Sequence, residues 1–147
     1  MEKQILSLFE IGDMMKEVIR AFRSHSESDQ LFDINISPEQ FGILHAIKTQ
    51  QNDVIQKDLS DMMKKHKTVI LRIIDSLEEK ELVRRVHDKK DRRKNYLLLT
   101  KNGERVIGYY LKLTDELMIR LQEGLTDAEI QTFHKVVHHI KTRAENL

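Results

Sequence analysis

Apolar residues recur at steps of three and four along almost the whole chain, and one stretch breaks that rhythm. Leu82 to His87 and Asn95 to Leu99 read as strands. Between them lies Asp88-Lys89-Lys90-Asp91-Arg92-Arg93-Lys94, seven charged residues of which five are basic. The pattern predicts a mainly α fold carrying a small β-hairpin with a protruding tip. Nothing in folding requires a self-repelling loop of this length, whereas a loop this long in a compact domain is often functional. It wants an anion.

The charge distribution agrees. The net charge is only +1, yet Lys57 to Lys101 holds 14 Lys and Arg against 8 Asp and Glu, a local +6 between acidic flanks. A basic middle of this kind is the footprint of a polyanion-binding module. Length and composition remove competing classes. At 147 residues the chain is one domain long, and it has no cysteine. Disulfides, thiolate metal sites, iron–sulfur clusters and thiol catalysis are therefore excluded. With one proline and five glycines it holds no Gly-rich phosphate loop. Met1-Glu2-Lys3-Gln4-Ile5 opens an amphipathic pattern rather than the apolar run of a secretory signal, so the expectation is a soluble cytoplasmic protein.

Around the hairpin the helical segments can be bounded. The spacing predicts a helix from Glu2 to about Arg23, with Ile5, Leu8, Met15, Ile19 and Phe22 on one stripe, then a polar break from Ser24 to Asp29. Ser37-Pro38-Glu39-Gln40 carries a capping box with proline at the first helical position, opening a helix to about Thr49 with Phe41, Leu44 and Ile47 inward. A polar loop spans Gln50 to Asp53. Gln56 to about Met63 is a short helix. After Lys64-Lys65-His66-Lys67 a second one runs from near Thr68 to near Lys80, and the pair suggests a helix-turn-helix. Thr100 caps a long helix reaching about Glu123, with two apolar stripes. Thr126-Asp127-Ala128-Glu129 is a second capping box, opening a last helix with Ile130, Phe133, Val137 and Ile140 on one face. The terminal helices have more apolar surface than a small basic module can cover, which points to a two-fold dimer built from both ends of the chain.

Within the helix-turn-helix, Lys64, Lys65 and Lys67 lie where a helix N-terminus favours phosphate. Thr68 and Arg72, four apart on one face, are candidates for base-edge contact in a major groove, with Leu71 suited to a thymine methyl.

The order of elements resembles the MarR family of winged helix-turn-helix transcriptional regulators. The likeness rests on Ile36-Ser37-Pro38-Glu39-Gln40-Phe41, on Gln56-Lys57-Asp58-Leu59-Ser60, and on the run from Arg72 to Arg85. It rests most on Asp91-Arg92-Arg93 followed by Leu97, Leu99 and Thr100. The resemblance implies a single domain over 1–147, with dimerisation helices at about 1–30 and 101–147 and a reader at about 37–100. It implies Arg93 in the minor groove, Asp91 orienting the tip through an ion pair, and Lys89, Lys90, Arg92 and Lys94 on the DNA backbone. It also implies a homodimer on a pseudo-palindromic duplex, and a repressor released by a small aromatic anion. Met15, Ile19, Phe22 and His45 are candidates to line that effector pocket or, equally, to be core. Two departures stand out. Glu81 occupies the position where the family usually has glycine, so a different exit from the recognition helix is expected. The run Lys67-Thr68-Val69-Ile70-Leu71-Arg72 also has fewer hydroxyls than usual to read bases.

Two other classes compete. Seven histidines and many carboxylates permit acid–base chemistry, but no nucleophile motif or metal signature organises them, and neither catalytic residues nor a cofactor is expected. His134 and His138, with His139 beside them, have zinc-ligand spacing but lack a further ligand, so a zinc-responsive regulator is an alternative rather than the expectation. A basic protein-interaction module without specific DNA binding is the other alternative.

Overall fold

The structure, a computed structural model, describes residues 4–27, 34–50 and 53–147. Its elements are α1 (Leu8–Glu27), α2 (Pro38–Thr49), β1 (Val54–Ile55), α3 (Gln56–Met63), α4 (Lys67–Glu79), β2 (Val83–His87), β3 (Asn95–Leu99), α5 (Lys101–Leu121) and α6 (Asp127–Glu145). It is mostly helical with one three-stranded antiparallel sheet, the winged helix-turn-helix arrangement. Residues 1–114 make one compact unit and 115–147 another. No helix among the described residues is long and apolar enough to cross a membrane.

Boundaries differ from the sequence expectation where local chemistry overrides periodicity. The first helix begins at Leu8, not Glu2, because Ser7 starts it: its hydroxyl accepts from Glu10 N at 3.3 Å and its carbonyl from Ile11 N at 3.2 Å. It continues to Glu27 through the expected break at Ser24, and Ser26 donates to the Arg23 carbonyl at 2.9 Å. The rest of that break, and part of the loop after Gln50, lie outside the described residues.

The sheet has the order β1-β3-β2. Val83 faces Leu99, Arg85 faces Leu97 and His87 faces Asn95 in the hairpin, while Val54 and Ile55 pair with Leu97 and Tyr96. The two-residue β1 was not expected. It is too short to show a period of two, and tertiary pairing alone defines it.

The core of the first unit collects Ile43 and Leu44 from α2, Leu59 from α3, Ile70, Ile74 and Leu77 from α4, and Val106 and Ile107 from α5, all with no exposed surface. Leu82 and Leu97 join it, with Val54, Val83 and Tyr110 among the other buried members. In α2, Leu44 and Ile47 are buried as expected and Phe41 packs half-buried against the core, while Ile43 and Ala46 widen the inward face.

Glu81 does keep the left-handed conformation the exit requires, at φ 57. The turn closes with Leu82 N donating to Leu77 O at 2.9 Å, which swings Leu82 into the core. A side chain in that region costs on the order of 1 kcal/mol. The connection is clamped from α5: Thr100 Oγ1 donates to Glu81 O at 2.6 Å and accepts from Gly103 N at 2.9 Å. A Cβ on Gly103 would overlap the Leu82 carbonyl, so glycine is required there.

Candidate nucleic-acid interface

The helix-turn-helix is formed by α3 and α4 around a three-residue turn. Lys64 takes a left-handed conformation at φ 50, and the Lys65 amide donates to Ser60 O at 3.2 Å, so the chain reverses within one step. Gln56 Nε2 donates to Lys67 O at 3.3 Å, tying the start of α3 to the start of α4. Because Ile70, Ile74 and Leu77 take the inward face of α4, Lys67, Thr68, Leu71 and Arg72 are left on the solvent side, with Lys64 and Lys65 exposed on the turn. Leu71, at 40% exposed, is an apolar side chain held in water on an otherwise cationic face.

The wing tip is ordered by its own aspartates. Asp88 Oδ1 accepts from Lys90 N at 2.7 Å and its Oδ2 from the Tyr96 hydroxyl at 2.8 Å. The Lys90 amide, with the Tyr96 hydroxyl next in weight, holds the Asp88 carboxyl below its ordinary range, and the same contact raises the Tyr96 phenol. Asp91 Oδ1 accepts from Arg93 N at 3.1 Å and from Arg93 Nε at 3.3 Å. Even so, the Arg93 side chain is 92% exposed. Lys89, Lys90, Arg92 and Lys94 are exposed around it. The tip is thus a preformed turn carrying exposed cations rather than a loose loop.

Arg85 ties the wing to the reader. Its guanidinium pairs with Glu78 and, at 2.6 Å, with Asp75 on α4, and its amide donates to Glu78 Oε1 at 3.2 Å. Neither Arg85 nor the Asp88–Tyr96 pair is visible in the sequence as functional, since each depends on register between β2, β3 and α4.

Wing and reader meet at an open cleft of about 510 Å³. Lys67 from α4, Lys57 from α3, and Arg93 and Lys94 from the wing line it. Ser60 and Asn95 also line it, and the Ser60 Oγ and Asn95 Oδ1 atoms are buried without a hydrogen-bond partner. Four cations around one groove, with the carboxylate of Asp61 among them, form a surface for an anion with several oxygens. Sequence reasoning missed Lys57, Ser60 and Asn95. Lys57 stood in a recognised motif without a role, and Asn95 gave no signal.

Of the candidate effector residues, Phe22 and His45 meet at the ring of Phe41. Phe22 is half-buried, with ring centroids 6.0 Å from Phe41 and 6.1 Å from Tyr110, and His45 stacks on Phe41 at 6.2 Å. Met15 and Ile19 are exposed on α1. Phe22 lines an open cleft of about 600 Å³ with Arg23, Asn35, Gln40 and Lys80, to which Met15, Ile19 and His45 do not contribute. His134, His138 and His139 lie exposed on α6, and among the described residues no three His, Cys, Asp or Glu are grouped to hold a metal.

Comparison with known proteins gives a consistent result. The MarR family model matches residues 36–94. The HTH-type transcriptional regulator YsmB of Bacillus subtilis is 33% identical over 100 residues, covering 68% of each chain. YpoP of the same organism, also an HTH-type transcriptional regulator, is 25% identical over 125 residues, covering 85% of this chain and 86% of the relative. Among solved structures, the S. aureus MepR–DNA complex superposes with a TM-score of 0.78 at 19% identity, covering 95% of this chain and 99% of that one. This last likeness concerns the fold.

Proposed function

The chain belongs to the MarR family of transcriptional regulators, and from that membership we propose that it represses transcription by binding a pseudo-palindromic DNA operator as a homodimer in the cytoplasm. The observation that carries this reading is the convergence of Lys57, Lys67, Arg93 and Lys94 on one groove between wing and reader. Phosphate neutralisation supplies most duplex affinity, and base edges in the grooves supply specificity. In this reading Lys64, Lys65, Lys67, Lys89, Lys90, Arg92 and Lys94 hold backbone. Thr68 and Arg72 read the major groove, and Arg93, braced by Asp91, enters the minor groove.

Dimerisation is supported by the terminal helices. Leu8, Phe9, Met14, Met15 and Ile19 on α1, and Phe133, Val136, Val137 and Ile140 on α6, are all exposed in the single chain. Two readers related by a two-fold then meet half-sites about one helical turn, roughly 10 bp, apart. A small aromatic anion releases the repressor. The cleft beside Phe22, which joins an aromatic ring to the cations of Arg23 and Lys80, has the partners such an anion needs.

The test is binding of a labelled duplex from the chain's own promoter across a salt series, with sedimentation equilibrium on the same samples. A dimer whose affinity falls on the order of 10³-fold or more between about 50 and 200 mM salt is expected. A monomer, or affinity indifferent to salt, contradicts the proposal.

A further inference from the structure

Three helical threonines in this molecule give their hydroxyl proton to the carbonyl one turn back: Thr49 to His45 O at 2.9 Å, Thr114 to Tyr110 O at 2.8 Å, and Thr132 to Ala128 O at 2.8 Å. Thr68 cannot. It is the second residue of α4, and no helical carbonyl stands one turn before it. Its hydroxyl instead lies 3.0 Å from Nδ1 of His66, the residue that caps the helix.

The direction of that hydrogen bond is decided by a second one. His66 Nδ1 accepts the Thr68 backbone N–H at 3.3 Å, which is the ordinary work of a cap toward the second helical amide. A ring nitrogen that accepts carries no proton. Nδ1 therefore shares its one lone pair between that amide and the Thr68 hydroxyl, which must be the donor in the contact. A hydroxyl has one proton and two lone pairs. With the proton committed to His66, Thr68 Oγ1 offers only lone pairs to solvent.

We infer that His66 sets the sequence preference of the reader by holding Thr68 as a hydrogen-bond acceptor. The inference deepens the DNA-binding reading and rests on it. In the major groove only adenine N6 and cytosine N4 are amino donors, whereas guanine and thymine present acceptors. A threonine free to rotate contacts either class. A threonine with its proton taken favours adenine or cytosine and leaves guanine O6 or thymine O4 facing a lone pair. His66 is thus a positioning residue, acting through Thr68 rather than on the base.

The experiment is selection from a random operator library by the full chain and by H66A, H66N and T68V, with melting temperatures recorded for each. The wild type should enrich adenine or cytosine over guanine and thymine by about tenfold at one symmetric pair of positions, and T68V should lose that enrichment. H66A should bind with the enrichment at that pair largely gone. H66N should retain it, because the asparagine oxygen caps the helix and still accepts the hydroxyl proton. Long-range nitrogen–proton spectra of the free protein at mildly alkaline pH should show the Nε2–H tautomer for His66 even if a variant folds poorly. An unchanged preference in H66A, loss of preference in H66N, or an Nδ1–H tautomer overturns the inference. Absence of salt-dependent duplex binding by the wild type overturns the DNA-binding reading itself, and this inference with it.

Discussion

Helices α4 and α6 are both amphipathic, yet they solve the burial problem in opposite ways. In α4, Ile70, Ile74 and Leu77 are wholly buried, while α6 has no buried residue and leaves Phe133 52% exposed. An apolar stripe that finds its partner inside the chain fixes the direction of the opposite face, and this is what aims Thr68 and Arg72 outward. The α6 stripe, exposed at Phe133, Val137 and Ile140, has no such constraint from within its own unit. The reader folds within one copy of the molecule, and in the proposed dimer the terminal helix supplies the surface for a second.

The contrast can be broken by truncation. Ile74→Ala should cost about 2–5 kcal/mol of unfolding free energy at any protein concentration, since it opens a cavity in a closed core. Phe133→Ala should change the stability of dilute protein by under about 0.5 kcal/mol but weaken self-association by about tenfold or more. Denaturant titration and sedimentation equilibrium separate the two. If Phe133→Ala costs as much as Ile74→Ala in dilute solution, α6 is packed within its own chain and the contrast is lost.

The helix ends sharpen it. α4 leaves through Glu81 in the left-handed region so that Leu82 can enter the core, whereas α6 ends at Asn146 with φ −107. Glu81→Gly should therefore raise stability by about 1 kcal/mol, read as a higher denaturant midpoint at unchanged slope. A neutral or destabilising result would show that Glu81 makes up its strain through contacts.

The smallest effect is in acid. Hydrogen bonds hold two carboxylates below their ordinary range: from Lys90 N, then the Tyr96 hydroxyl, for Asp88 in the wing, and from Thr126 N for Glu129 at the start of α6. A group whose pKa is lowered by folding contributes stability above its unfolded pKa, and that contribution is lost as pH falls through the folded value. The wing turn and the α6 cap should therefore stay intact at neutral pH and loosen only below the usual carboxylate range. Amide shifts of Lys90 and Thr126 across an acid titration report this, and midpoints at or above ordinary carboxylate values contradict it.

What could be read in advance follows from how local each interaction is. Ser37 with Gln40 and Thr126 with Glu129 are capping boxes within four residues, and both close in both directions. The helix-turn-helix and the charged hairpin were equally legible, because periodicity and its interruption are local. Yet the Gln40 side chain also donates to Ser76 Oγ at 2.9 Å and accepts from Lys80 Nζ at 3.0 Å, residues far along the chain that its motif does not reveal. Strand β1, the Arg85 bridge to Asp75 and Glu78, and the unsatisfied Ser60 and Asn95 are of the same kind. Each exists only once the sheet register sets distant residues side by side. The departure at Glu81 was visible in the sequence, but its outcome was not: the turn kept its geometry because Leu82 and the Thr100 clamp outweigh the local strain.

The central claim is that wing and recognition helix form one DNA interface with divided labour, and salt-dependent binding by Arg93→Ala beside Arg72→Ala tests it most directly. Arg93→Ala should weaken binding to every sequence, because a minor-groove arginine responds to groove width and potential, and should lower the salt slope by about 1 to 2 units for two symmetric sites. Arg72→Ala should instead relax discrimination at one symmetric pair of positions by on the order of 1–3 kcal/mol per site. If Arg93→Ala binds the operator with unchanged affinity and unchanged salt slope, the wing is not part of the interface and the account is wrong.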